Sequence, residues 1–143
     1  MIQQDALDIL KLGHNVFLTG SAGSGKTHVL QEYISYLQEK AVVVGLTAST
    51  GVAATQISGI TLNSWTGIGI REDLTEDHID ELLKRPYLKK RFEKTTVLII
   101  DEVSMLSSLS LDMVNALCKA FRRNDKAFGG IQVVLCGDFF QLP

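Results

Sequence analysis

Four short apolar runs punctuate this 143-residue chain, and the stretches between them carry helical spacing. Val16-Phe-Leu-Thr19, Val42-Val-Val-Gly-Leu-Thr47, Val97-Leu-Ile-Ile100 and Ile131-Gln-Val-Val-Leu-Cys136 read as strands. Residues 97–100 contain no polar side chain, as expected of a strand covered on both faces in a parallel sheet. From Lys26 to Lys40, Leu30, Ile34 and Leu37 share one helical face, and from Ser108 to Arg123, Met113, Leu117 and Phe121 do the same. A first helix runs from Gln3 to Leu12 and stops at Gly13, a favourable helix-ending residue. Thr50 caps a short helix through Ile57. Another helix follows Thr75, with Asp73, Glu76 and Asp77 near its positive end. Segment 59–70 is punctuated by glycines and reads as an ordered loop. Strand–helix alternation without repeat or linker predicts one α/β domain, a doubly wound and mainly parallel sheet with helices on both faces. Ligands in such a fold bind at the carboxyl ends of the strands.

Composition narrows the picture only slightly. Apolar residues at 45% and charged residues at 21% are ordinary for a globular domain. No apolar run approaches the roughly 18 residues that a membrane span needs, and the first residues lack a basic-then-apolar pattern. Cys118 and Cys136 fall inside apolar elements, so they read as buried thiols of a reducing compartment. The formal net charge of −2 provides no global attraction to nucleic acid. Locally, Lys84, Arg85, Lys89, Lys90, Arg91 and Lys94 collect, either as a solvated helix face or as a surface that touches phosphate. His14, His28 and His78 have no metal-ligand spacing, and His28 is expected to be exposed. Arg122 and Arg123 read as surface charge.

Candidate chemistry begins at Gly20, Ser21, Ala22, Gly23, Ser24, Gly25, Lys26 and Thr27. These residues match the phosphate-loop pattern G-x-x-x-x-G-K-[ST] between a strand and a helix, the setting that the pattern requires. Glycines let backbone N–H groups turn around phosphate oxygens, and the helix N-terminus favours negative charge. Lys26 would reach the β- and γ-phosphates of ATP, and the Thr27 hydroxyl would ligate Mg²⁺. Asp101 and Glu102 close the most apolar strand. Asp101 there can hold Mg²⁺, usually through water, and Glu102 can orient and deprotonate the attacking water. Such a pair points to hydrolysis coupled to motion. Gly137-Asp-Phe-Phe-Gln141-Leu-Pro143 follows the last strand, where the Gln141 amide can sense a γ-phosphate.

Taken in order, Gly-Ser-Ala-Gly-Ser-Gly-Lys-Thr, Thr-Ala-Ser-Thr-Gly-Val-Ala-Ala, Leu-Ile-Ile-Asp-Glu-Val-Ser-Met and Gly-Asp-Phe-Phe-Gln-Leu-Pro resemble the first motor domain of a superfamily 1 DNA helicase. The resemblance is greatest to the petite-integration-frequency (PIF) family, relatives of the RecD-like 5′→3′ helicases, and runs from Gln3 to Pro143. It implies a RecA-like domain over residues 1–143, the first of two, with the second bearing an arginine finger and half of the DNA groove. It also implies that Gln3, ten residues before Gly13, recognises adenine. Thr50, Gly51 and the segment Thr61-Leu-Asn63-Ser64-Trp65 correspond to single-stranded DNA contacts, with Trp65 either stacking a base or belonging to the core. Asn63 stands where relatives commonly carry His, and Ser49 where many carry Pro. The implied partners are single-stranded DNA and DNA junctions, with no membrane, and the protein is expected to be a monomer. Its expected location is the bacterial cytoplasm at the nucleoid, or the nucleus or mitochondrion of a eukaryote. Two other readings of the motifs remain: an AAA-type ATPase or kinase, and a non-catalytic module that uses ATP as a switch.

Overall fold

The computed structural model describes residues 3–20 and 25–138. The expected nucleotide contacts at Ser21, Ala22, Gly23 and Ser24 and the sensor at Gln141 lie outside the described residues. In chain order the elements are α1 (Gln3–Lys11), β1 (Val16–Thr19), α2 (Lys26–Glu39), β2 (Val44–Ala48), α3 (Gly51–Gln56) and β3 (Ile60–Thr61). There follow α4 (Leu62–Thr66), α5 (Glu76–Leu83), α6 (Pro86–Lys94), β4 (Val97–Asp101), α7 (Ser108–Arg122) and β5 (Gln132–Gly137). The strands form one sheet in the order β1-β5-β4-β2-β3, and every adjacent pair is parallel. This is the expected α/β architecture. Among the described residues, no helix is long and apolar enough to cross a membrane.

β4 lies between β2 and β5, and its alternating side chains serve two cores. Val97 and Ile99 join Leu7 and Leu10 of α1 and Val29, Leu30, Tyr33 and Leu37 of α2 on one face. Leu98 and Ile100 join Trp65, Leu88, Phe92, Val114 and Leu117 on the other. Each such aliphatic side chain, fully buried, contributes about 1.5–3 kcal/mol. At the amino end of the sheet Gln132 ties three elements together. Its Oε1 accepts the Tyr33 hydroxyl proton at 2.7 Å, and its Nε2 donates to the carbonyls of Leu10 and His14.

The cap expected at Thr50 forms, and Thr75 supplies a second one ahead of α5. Thr50 Oγ1 accepts the Ala53 N–H, and Thr75 Oγ1 accepts the His78 N–H while His78 Nδ1 accepts that of Thr75. Four expectations need correction. Segment 59–70 is not simply a loop, because β3 and α4 occupy residues 60–66. The second strand begins at Val44 rather than Val42, since closing α2 uses Ala41 (φ 57°) and the Val42 N–H, which donates to the Leu37 carbonyl. The last strand begins one residue late for a similar reason, the Ile131 N–H being held by Phe128. Arg122 is not mere surface charge. Its guanidinium donates to the carbonyls of Phe92, Glu93, Thr95 and Gly129, closing the C-terminal end of α6 onto α7. Arg123, in contrast, is exposed, as expected.

Candidate nucleotide and nucleic-acid site

Parallel pairing brings the carboxyl ends of β1, β5, β4 and β2 to one edge of the sheet, and the motifs follow them there. β1 delivers Gly20, and α2 begins at Lys26 after Gly25. Gly25 has φ 89° and lies directly against the Gln3 side chain, which leaves no room for a Cβ. A left-handed glycine in such close contact is what turns the chain into the helix. The same contact brings Gln3, the expected adenine-reading residue, to the end of the loop. The Lys26 ammonium reaches back across the loop, its Nζ donating to the Gly20 carbonyl at 2.6 Å. Thr27 is exposed beside it in the first turn of α2.

β4 carries the acidic pair into this edge. Asp101 pairs with Ala48 in the ladder and is half-buried. Its Oδ1 accepts the Glu102 N–H at 2.8 Å. Glu102 takes a left-handed conformation (φ 52°, ψ 45°), uncommon for a non-glycine residue and frequent at functional sites. That turn swings the chain out of the sheet into a 3₁₀ turn over Val103–Met105, leaving the Glu102 side chain exposed. Gly137 of β5 packs closely under this turn; a Cβ built there would lie 3.1 Å from Val103 Cγ1.

Two residues of this edge escaped the sequence reading. Asp138, quoted in the motif after β5 but given no role there, is a buried carboxylate. Cys136 was read only as a buried thiol. Burial, with the neighbouring Asp101 carboxylate adding to it and Lys26 opposing, pushes it up to about 12. The thiol, the Asp101 carboxylate and the Lys26 ammonium therefore share one small region. Cys118 is likewise pushed up to about 12 by burial, so both cysteines are neutral thiols, as their apolar context suggested.

The expected DNA contacts lie along the same edge. The Ser49 N–H donates to the Asp101 carbonyl at 3.1 Å, extending the β2–β4 ladder by one residue. The next two residues are Thr50, the cap of α3, and Gly51, exposed with nothing within 4 Å of where a Cβ would stand. Thr61 caps α4, and its hydroxyl donates to Ser64 Oγ at 2.9 Å. Asn63 and Ser64 are exposed on α4. Trp65 is not available for base stacking. Its ring is buried against Gly45, Leu98 and Phe92, the last at a centroid distance of 4.8 Å, so the aromatic is core. His28 is exposed and paired with Glu32 on α2, turned to a local partner.

Residues 3–143 match the family of PIF1-like helicases. The chain belongs to the PIF1-like helicase family. It is 60% identical over its full length to the ATP-dependent DNA helicase Pif1 of a Psychrobacter species, of which it spans 22%. The crystal structure of Pif1 helicase from Candida albicans superimposes with a TM-score of 0.93 at 43% identity, covering all of this chain and 34% of that one. Pif1 helicase from Bacteroides, crystallised with ADP-AlF3 and single-stranded DNA, matches with a TM-score of 0.82 at 33% identity, covering all of this chain and 34% of that one. The chain thus spans about a fifth of the curated Pif1 relative and a third of the solved Pif1 chains, and the fold is that of their RecA-like domains.

Proposed function

We propose that this chain is the first motor domain of an ATP-dependent DNA helicase, in which MgATP hydrolysis drives translocation on single-stranded DNA and duplex unwinding. One observation carries the reading. The Ser49–Asp101 backbone hydrogen bond links the end of β4, bearing the acidic pair, directly to Thr50 and Gly51 at the start of α3. A nucleotide-dependent change at Asp101 and a DNA strand lying on α3 would be one hydrogen bond apart. A non-catalytic switch has no use for Glu102, turned out of the sheet and exposed after β4.

In this reading Lys26 neutralises the β- and γ-phosphates, the loop amides cradle them, and Gln3 contacts adenine. Asp101 and Thr27 would hold Mg²⁺. Both offer hard oxygen donors, the kind that holds such an ion together with substrate phosphates. When bound, Mg²⁺ supplies charge neutralisation on the phosphate oxygens. Glu102 accepts a proton from the attacking water, and Gln141 reads the presence of the γ-phosphate. Thr50, Gly51, Asn63 and Ser64 contact the DNA backbone, and Trp65 supports α4 from beneath. The partners are single-stranded DNA, DNA junctions and a second motor domain that supplies an arginine finger; the working form is a monomer. The protein acts in a DNA-containing compartment.

The deciding experiment compares ATPase and strand displacement by the full-length protein and by this domain alone. The full-length protein is expected to show ATPase stimulated by single-stranded DNA and to displace a strand. The domain alone is expected to bind nucleotide yet hydrolyse it near background, because a missing arginine finger costs about 10³–10⁵-fold in P-loop enzymes. Robust unwinding by the domain alone would refute the two-domain account.

Gly51 offers a sharper local test. The protein itself leaves room for a Cβ there, so Gly51→Ala should fold with stability unchanged or slightly raised. A DNA backbone in close approach would meet that methyl group. The expected result is weaker single-stranded DNA binding with unchanged or raised thermal stability. Unchanged DNA affinity in a fluorescence titration would remove Gly51 from the interface.

A further inference from the structure

Helix α6 presents a stripe for which nucleotide binding has no use. Tyr87, Lys90, Arg91 and Lys94 follow the i, i+3, i+4, i+7 spacing of one helical face, while Leu88 and Phe92 fill the core. Arg91 is committed inward. Its guanidinium donates to the Trp65 carbonyl at 2.6 Å and approaches the Ser64 carbonyl at 3.5 Å, so the stripe starts where α4 ends. The same guanidinium lies 5.8 Å from the Trp65 ring and 5.9 Å from the Tyr87 ring, holding Tyr87 while it stays 57% exposed. Lys90 and Lys94 are exposed, and among the described residues neither has an ion-pair partner. They sit four apart on one helix, where like charges repel. Glu93, the one carboxylate of α6, lies three residues from Lys90 and, among the described residues, forms no ion pair with either lysine.

We propose that α6 extends the single-stranded DNA track beyond Asn63 and Ser64, with Lys90 and Lys94 neutralising backbone phosphates and the Tyr87 ring stacking on a base. The proposal rests on the DNA-motor reading above and adds a surface to it. Arg91 acts as a positioning residue, fixing α6 against the C-terminal carbonyls of α4 so that both segments follow one strand. Aromatic rings beside unpaired lysines form the usual platform for single strands, tolerant of base sequence and sensitive to salt.

The test uses the full-length protein with fluorescein-labelled oligothymidine and, as a second probe, a blunt DNA duplex, each titrated across a salt series. Replacing both Lys90 and Lys94 with Ala should lower the slope of log affinity against log salt by about 1.4, or roughly 0.7 for each phosphate contact on a single strand. Each single variant should lower it by about half of that. Tyr87→Ala should weaken binding roughly 5- to 150-fold at fixed salt with the slope unchanged. Lys89→Ala, on the opposite flank of α6, should match the parent, and all variants should keep the parent's ATP affinity. A double variant with parental slope and affinity for oligothymidine overturns the proposal, as does a slope change confined to the duplex. Failure of the parent protein to bind oligothymidine at all would instead sink the DNA-motor reading on which it rests.

Discussion

Glu102→Gln is expected to reduce ATP turnover by the full-length protein about 10²–10⁴-fold while leaving MgATP affinity within about twofold. The amide keeps the size and shape of the side chain but cannot accept a proton from water. The backbone supports a clean substitution. The left-handed conformation of Glu102 is held by its own N–H on Asp101 Oδ1 and by its carbonyl, which accepts the Met105 N–H at 3.1 Å. Neither bond uses the side chain being changed, so the acidic pair and the 3₁₀ turn should stay in place. Steady-state hydrolysis with saturating single-stranded DNA, beside a nucleotide-binding titration, measures both quantities. Turnover near the wild-type rate would show that some other group serves as the base.

Lys26→Ala should have the opposite signature, with binding itself lost. Removing one partner of a charge pair in a closed phosphate site costs about 2–5 kcal/mol, equivalent to roughly 30- to 5,000-fold in affinity. Stability should change little, because alanine is the best helix former and a cation at a helix N-terminus opposes the helix dipole. The donation from Nζ to the Gly20 carbonyl disappears with the side chain. Nucleotide affinity by calorimetry, with circular dichroism as the control for folding, decides the matter. Unchanged affinity would remove the phosphate-loop assignment.

What was legible in the sequence is what depends on near neighbours. The four apolar residues of β4, the glycine loop between a strand and a helix, and the cap at Thr50 are each defined within a few positions. Arg122 was misread because its acceptors, Phe92, Glu93 and Thr95, lie 27–30 residues earlier in the chain. β3 was missed because two residues make no pattern; they pair only because α3 returns the chain beside β2. The demands on Gly137 and the burial of Asp138 likewise belong to the assembled edge, not to any local spacing. For Trp65 the sequence left base stacking open but favoured the core, and its contacts with Phe92 and the backbone of Gly45 settle its place there.

The central position of β4 has a practical consequence. Its amides are hydrogen-bonded within the sheet and its side chains are covered on both faces, so deuterium should reach them only when the whole domain opens. Their exchange rate is then a gauge of global stability that is blind to loop motion at the site. A nucleotide present at 100 times its dissociation constant adds about 2.7 kcal/mol to that stability, slowing exchange in β4 about 100-fold. A strand that ends in the acidic pair thereby reports occupancy without any label on the ligand and without turnover, so binding by Lys26, Glu102 and Gly51 variants can be ranked even where catalysis is absent.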